Sequence, residues 1–511
     1  MTAMPAPAHM DGIGNSHLQI TTKSAEAQAY FDQGLNLLHC FWDYEAWRAF
    51  KEAARLDPDS AMAYWGIVES TKDYDAMEDD RVAALEKAEA LLPNITEHER
   101  FYIRAARKQE DAGDSDKDKK PYVKEMEALI ADYPGDIDAR LFLSLSIMGD
   151  QKLYSQQILR NLLHEHPDSA AVNHYWIHAA EGTTRPEDAL HSADVLGSLA
   201  SSSGHMVHMP GHIYYRTGDY ERARECFRAS KATDEGYMKA QKVSNADDWN
   251  YPHNLSYLIA AEAEAGRYQE ALATAATLQK IPANPFRARN SPNYVLTVGG
   301  SLVRLHLRFG RWQAAVDHPI DIGMSPDDAG SAAVAYRDGM LAYAKGMVAL
   351  ERDALSDAAA QSDALDSIQW RLHAEGKDDD EEKGNDPNPV LGVLEVASLD
   401  LRGNLRAREG KLDEAVRLLK KAVEKEKDTG YREPPQCSRP ELESLGRVYL
   451  RARDWDHARE TFEQELKQRP KSGFALRGVA MAYEGAGKTA EAERAREEFK
   501  RAWAHADADL Q

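Results

Sequence analysis

Two segments of this chain place histidines at the same relative positions, one fixed interval apart. The first contains His174 and His178, and the second contains His208 and His212, so each histidine has a counterpart 34 residues later. That period is typical of helix–turn–helix units that stack on one another, because each unit buries its apolar face only against its neighbours. Histidines repeated at this period are therefore predicted to lie on adjacent helices.

The rest of the sequence favours the same fold class. Alanine, leucine, glutamate and arginine recur every three to four residues, and runs of alternating β-branched residues are rare, which predicts an all-α protein. Small, aromatic and proline residues recur at tetratricopeptide-repeat positions, and three consecutive units are predicted at 136–169, 170–203 and 204–237. We expect a tetratricopeptide-repeat superhelical solenoid, an architecture in which 511 residues need no single large core.

Four parts are predicted along the chain. They are an N-terminal extension (1–24), N-terminal repeat-like helices (25–135), central units with the histidines (136–330) and C-terminal units (331–511). Two polar stretches, 109–121 and the acidic 376–389, are predicted to be exposed loops.

Composition excludes several functions. A net charge of −22 argues against general nucleic-acid binding, which needs a basic surface. Three widely spaced cysteines give neither a disulfide framework nor a thiolate zinc site. No apolar run has the length of a membrane span, and no signal peptide is visible, so we expect a cytoplasmic location.

The predicted register places the histidines on the groove-facing side of the repeats. Groove positions are 2, 5, 9 and 12 of each unit's first helix, and steps of three and four keep side chains on one helical stripe. Only 18 histidines occur in the chain, yet five fall at these positions in two adjacent units, far more than chance would place there. The predicted metal ligands are His174, His178, His205, His208, His212, His253 and Glu181.

Alternatives remain open for individual residues. His178 and His212 could be buried hydrogen-bonding histidines, and His253 could cap a helix. Pro210 either lies in the first turn of its helix, which would leave His205 and His208 in a preceding loop, or lies inside the helix, kinks it and frees a carbonyl near the groove. The set could hold one ion with three or four ligands, or two ions with about three imidazoles each.

Imidazole ligands suit copper, iron or zinc, and we favour copper. Copper or iron predicts oxidation with dioxygen, whereas zinc predicts Lewis-acid chemistry with Glu181 as base. Glu181, His205 and Tyr215 are the predicted acid–base groups. A small, anionic substrate is expected to contact four further residues, although the arginines could simply pair with nearby acids. These are Arg140, Arg216, Trp249 and Arg304.

Nearly the whole chain resembles a group of bacterial tetratricopeptide-repeat proteins that is largely uncharacterised. The most specific match is the string His208-Met209-Pro210-Gly211-His212, and Trp176 stands where the group usually has tyrosine. Other matching residues are His39-Cys40-Phe41, His174 to Glu181, His253-Asn254 and Glu433-Pro434-Pro435. The resemblance implies an α-helical solenoid with a recurrent histidine cluster, and it implies no particular reaction.

Three functions are consistent with these patterns. The first is a metalloenzyme with a mono- or dinuclear histidine site that acts on a small molecule. The second is an adaptor that binds a peptide or protein in its groove, as many repeat arrays do. The third is a metal that only stabilises the fold. Polar groove residues concentrate in two units, which favours the first.

Overall fold

Helices account for all the regular structure in the part of the chain that the structure describes. The structure is a computed structural model, and it describes residues 7–112, 120–282, 295–323, 325, 329–379, 389–430, 432 and 434–507. Within these ranges there is no β-strand. The all-α prediction is therefore confirmed. None of the described helices is both long and apolar enough to cross a membrane.

The chain divides into two compact units, Met1–Ile213 and Tyr214–Gln511. The helices of the first unit are α1 (Ala25–His39), α2 (Asp43–Leu56), α3 (Ala61–Glu69), α4 (Glu78–Ala90), α5 (Glu97–Ala112), α6 (Lys120–Asp132), α7 (Ile137–Ile147), α8 (Lys152–Glu165), α9 (Ala170–Glu181), α10 (Leu190–Leu199) and α11 (Gly204–Arg216), the last of which continues past the division.

Capping residues explain where the helices near the histidines begin. Asp136 accepts a hydrogen bond from the backbone N–H of Ala139, and Ser169 accepts one from that of Val172, so each satisfies a donor that has no partner inside its helix. The helix pairs α7–α8 and α9–α10 begin in the register predicted from the 34-residue period. The predicted loop at 109–121 is shorter than expected, since α5 extends to Ala112 and α6 begins at Lys120. Residues 113–119 lie outside the described residues.

The second unit is also built from successive helices. They are α12 (Tyr220–Gln241), α13 (Asn250–Glu264), α14 (Tyr268–Leu278), α15 (Ser301–Arg308), α16 (Trp312–Asp317), α17 (Ser331–Glu351), α18 (Leu355–Asp379), α19 (Pro389–Arg408), α20 (Leu412–Asp428), α21 (Glu441–Ala452), α22 (Trp455–Gln468), α23 (Gly473–Gly485) and α24 (Thr489–Ala502).

The predicted acidic loop at 376–389 is partly wrong. Helix α18 continues to Asp379, and α19 already begins at Pro389, because proline is well accommodated in the first turn of a helix. Residues 380–388 lie outside the described residues.

Small residues let neighbouring helices approach closely in both units. In the first unit, the ring of Phe50 lies against Gly34 and Gly66, and a Cβ added at Gly34 would lie 2.7 Å from that ring. In the second unit, the ring of Phe462 lies in the same way against Gly446 and Gly478. One aromatic side chain therefore fills the space left by glycines on two flanking helices, which is the packing expected of stacked helix pairs.

We predict that Gly66→Ala destabilises the first unit by about 1–3 kcal/mol, because the new methyl group would overlap the buried Phe50 ring. Gly197→Ala is the matched control, since a Cβ there meets nothing within 4 Å and Gly197 lies inside α10. The control should be neutral or gain up to about 1 kcal/mol from helix propensity. Denaturant unfolding of both variants tests this, and equal stability of the two would contradict it.

Candidate metal centre

Helix α9 carries three polar side chains on a single face. His174, His178 and Glu181 follow one another at steps of four and three residues, and a helix brings such positions together. His174 is fully buried, whereas His178 is partly exposed. Glu181 is buried as well, so His178 is the member of this face that solvent reaches.

Helix α11 carries the second set, and it settles the alternatives that Pro210 left open. The helix begins at Gly204 and contains Pro210 in its interior, so His205 is helical and buried rather than part of a solvated loop. Because proline has no N–H, the carbonyl of Met206 lacks its usual helical donor. His208 and His212 complete the stripe, and both are buried.

Three imidazoles from these two helices converge on one point. The Nε2 atom of His174 lies 3.1 Å from Nε2 of His178 and 3.1 Å from Nε2 of His205. The ligand atoms of the three residues all lie within 4.8 Å of one another. Ligands at a metal–nitrogen distance of about 2.0–2.1 Å in tetrahedral geometry would lie roughly 3.3 Å apart, so the spacing suits one shared ion. We call these three residues the tripod.

Hydrogen bonds fix which ring nitrogen carries the proton. His174 Nδ1 lies 2.6 Å from the carbonyl oxygen of His39, which can only accept, so Nδ1 donates. Burial, followed by the neighbouring His178, holds the pKa of His174 well below its usual range, so the ring is neutral near pH 7 and its Nε2 bears a lone pair. His178 Nδ1 likewise donates to Glu181, at 2.7 Å.

The remaining two histidines of α11 form a pair beside the tripod. His208 Nε2 lies 2.6 Å from His212 Nε2, and the ring of His208 stacks on that of His205 with centroids 6.1 Å apart. His212 Nδ1 donates to Glu181 at 2.5 Å, so its Nε2 faces His208. The pair offers two further nitrogen ligands in the first unit.

Glu181 connects the tripod to this pair. One carboxylate oxygen accepts from His178 and the other from His212. Burial raises the pKa of Glu181, but the neighbouring His212 and His178 outweigh it and hold this pKa far below its usual range. A carboxylate that receives the Nδ1–H of a ligating histidine orients the ring and makes Nε2 more basic. This geometry favours an orienting role for Glu181 over direct ligation.

Sequence reasoning missed the residues that support His174. His39 has no partner at helical spacing, yet its Nε2 lies 2.8 Å from the carboxylate of Asp138, and its Nδ1 lies 3.1 Å from the hydroxyl of Tyr175. Its backbone carbonyl, at the C-terminal end of α1, has no helical donor and accepts from His174 instead. These partners are about 100 residues or more away in sequence, so no local pattern identifies them.

Phe41 covers the tripod and was also missed. Its ring centroid lies 4.7 Å from that of His174, 5.2 Å from that of His178 and 5.8 Å from that of His205. Its φ of 56° places it in the left-handed region, at the position after a helix where glycine is usual. The only sequence signal was the His39-Cys40-Phe41 segment of the family resemblance.

The other predicted site residues are distributed as follows. Arg140 lies on α7 and donates to Glu165 at 2.5 Å, so its guanidinium is already paired. Five residues belong to the second unit. They are Tyr215, Arg216, Trp249, His253 and Arg304. His253 lies inside α13 rather than at its cap, and the ring of Trp249 lies 6.2 Å from it.

Comparisons with known proteins support the repeat fold. Two family models described as tetratricopeptide repeat match residues 206–235 and 441–473. No curated protein matches the chain significantly. Among solved structures, the crystal structure of the P58(IPK) TPR domain at 2.5 Å aligns with 91% of this chain and 99% of its own, at 11% identity and a TM-score of 0.23. A TM-score that low supports no conclusion about this chain.

The two family matches confirm that the chain contains tetratricopeptide repeats. The first match includes His208 and His212 and follows the predicted unit at 204–237. The second begins with α21 and includes α22, inside the predicted C-terminal units at 331–511. A bacterial group defined by the histidine cluster stays a prediction.

We predict that Glu181→Gln weakens transition-metal binding by about 10–100-fold, because an amide offers one acceptor oxygen where two imidazole N–H groups now need one each. Competition with a chromophoric chelator measures the affinity. Glu187→Gln, an exposed position between α9 and α10, is the control and should bind as the wild type does. Equal affinities for all three proteins would contradict an orienting role for Glu181.

Proposed function

We propose that the tripod binds a transition-metal ion through its three Nε2 atoms and that the protein uses this ion to oxidise a small molecule. Imidazoles bind copper, iron and zinc well, and among these we favour copper. The tetratricopeptide helices would serve as the scaffold that keeps the ligands in place.

One observation carries the metal proposal. His174 and His178 both have Nδ1 committed to an acceptor, so in the neutral form of both rings the two Nε2 lone pairs point at each other across 3.1 Å. Two lone pairs facing each other without a proton between them repel, whereas a cation between them is attracted by both. The hydrogen bonds around the tripod thus favour a cation at its centre.

The donor set favours nitrogen ligands over sulfur. Cys40 lies next to Phe41 in the chain, but its thiol donates to the carbonyl of Ile13 at 3.1 Å, and burial raises the pKa of Cys40 to about 12. A thiol with so high a pKa does not supply a thiolate ligand. An all-imidazole site suits a metal that cycles between Cu(I) and Cu(II), or an iron or zinc ion.

Access to the tripod favours catalysis over a purely structural metal. Structural sites usually have four protein ligands and exclude solvent, whereas catalytic sites leave one position open. The tripod supplies three imidazoles, and the side chain of His178 is 19% exposed while the other two histidines are buried. A small molecule could therefore reach the metal from the side of His178.

The proposed reaction needs dioxygen as the oxidant. In the simplest balance, the substrate loses two electrons and two protons, and dioxygen accepts them to give hydrogen peroxide. Formation of hydrogen peroxide under air is then a readout that does not require the product to be identified.

We predict that protein purified without a histidine tag contains one to two equivalents of copper, iron or zinc, and that His178→Ala/His212→Ala contains less than a tenth of that amount. The double variant removes one ligand from the tripod and one from the neighbouring pair. Plasma mass spectrometry measures metal content and stoichiometry together, so it also distinguishes one ion from two.

His164→Ala is the matched control for this measurement. It removes an exposed histidine at the end of α8, outside both histidine groups, and should keep the full metal content. If wild type and double variant both fold and neither retains metal after reconstitution with each ion, the metalloenzyme proposal fails.

The repeat matches favour a second candidate function. Tetratricopeptide units commonly present grooves that bind peptides or proteins, and two such segments are matched here. In that case the histidines would be structural. Metal-free protein with unchanged thermal stability would support this adaptor function over the metalloenzyme.

A further inference from the structure

The second unit contains a cavity lined by three arginines. Its volume is about 60 Å³, which is room for roughly four water molecules. Arg304 and Arg308 come from α15, and Arg469 follows α22. Glu264 is the carboxylate among the lining residues. The lining therefore carries more positive than negative charge.

Two of these arginines are already matched by acids. Arg308 donates to Glu264 at 2.9 Å and holds both carboxylate oxygens of Glu443, at 2.9 and 3.0 Å. Its guanidinium also lies 3.6 Å from the ring of Phe474. Arg469 donates to Glu465 at 2.8 Å. These two arginines are therefore parts of an ion-pair network, and their charges are balanced by its acids.

Arg304 differs from both, although it lies only one helical turn from Arg308. Its Nη atoms donate to the backbone carbonyls of Leu296 and Pro435, and no carboxylate pairs with it among the described residues. Its Nε is buried and has no hydrogen-bond partner. Backbone carbonyls fix the guanidinium in place without neutralising its charge.

Two hydroxyl groups of the lining also lack partners. The Oγ atom of Ser438 is buried with no hydrogen bond. The hydroxyl of Tyr215 makes no hydrogen bond among the described residues, while its ring packs against Tyr220 and Tyr257. Burial raises the pKa of Tyr215 to about 12, so it remains a neutral donor.

The negative charge of Glu264 would repel an anion bound in this cavity. Its carboxylate accepts from Arg308 at 2.9 Å and from Ser472 at 3.1 Å, so its charge is offset within the network. Three groups of the lining can still donate a hydrogen bond, namely Nε of Arg304 and the hydroxyls of Tyr215 and Ser438. A cavity that presents unmet donors and a fixed guanidinium is complementary to an acceptor with negative charge.

We propose that this cavity binds a small oxyanion, a carboxylate or a phosphate group, with Arg304 as the charged donor and the hydroxyl groups of Tyr215 and Ser438 as neutral donors. The proposal does not depend on metal binding, because every residue that it uses lies in the second unit. Arg304 and Tyr215 were also among the site residues predicted from sequence.

The test is calorimetric titration of the full chain with inorganic phosphate and, separately, with succinate, at constant ionic strength set by sodium chloride. Both titrations are repeated in the His178→Ala/His212→Ala background, so a contribution from metal is excluded. We expect saturable binding of one equivalent of one anion in both backgrounds. Binding of phosphate identifies a phosphate-type ligand, and binding of succinate identifies a carboxylate.

Three variants test whether the anion binds in this cavity. Arg304→Gln should weaken it by at least about tenfold, since a charged donor is lost. Tyr215→Phe should weaken it several-fold without lowering the melting temperature of the anion-free protein, because the hydroxyl makes no hydrogen bond there. Arg352→Gln removes an exposed arginine that pairs with Gln313, and it should bind as the wild type does.

Two results would overturn the proposal. They are the absence of saturable binding by either anion, and equal binding by Arg304→Gln and wild type. A misfolded Arg304→Gln does not affect the test, because Tyr215→Phe probes the same cavity with a change that leaves the internal hydrogen bonds intact.

Discussion

The shared carboxylate of Glu181 is the interaction on which the geometry of the first unit's histidines depends. Each of its oxygens receives one imidazole N–H, from His178 on the same helix and from His212 on α11. Because both bonds use Nδ1, both rings must present Nε2 to the interior. A single buried charge thereby sets the tautomer and direction of rings on two successive repeats, which helix packing alone would leave free to rotate.

Periodicity made much of this predictable. The 34-residue interval by itself predicts that His174 and His178 lie beside His208 and His212 on neighbouring helices, and the helix pairs of three central units begin where that interval puts them. This success has a physical cause, since each unit of a repeat protein packs on its neighbours and local sequence decides most contacts. The position of Pro210 within its helix could not be predicted from the sequence, because proline is tolerated both in the first turn of a helix and at an interior kink.

The repeat period does not predict contacts between segments that are far apart in the sequence. The carbonyl of His39 and the ring of Phe41 reach the tripod from the end of α1, about 135 residues away in sequence. A phenylalanine with positive φ costs roughly 1–2 kcal/mol relative to glycine, which is usual at that position. Glycine would relieve the backbone but would leave the three imidazoles uncovered. The strained residue is best explained by what its ring covers.

In the second unit, the partners of two neighbouring arginines distinguish a structural residue from a candidate ligand-binding residue. Arg308 and Arg304 lie one turn apart on α15, and Arg308 is buried whereas Arg304 is partly buried. Arg308 regains its lost hydration through two carboxylates, Glu264 and Glu443, and this arrangement is complete without a ligand. Arg304 has only backbone carbonyls, so its charge remains unbalanced. The sequence predicted Arg304 as a site residue from its position in a repeat. Only the hydrogen-bond partners of each guanidinium show that Arg308 stabilises the fold and that Arg304 is available to an anion.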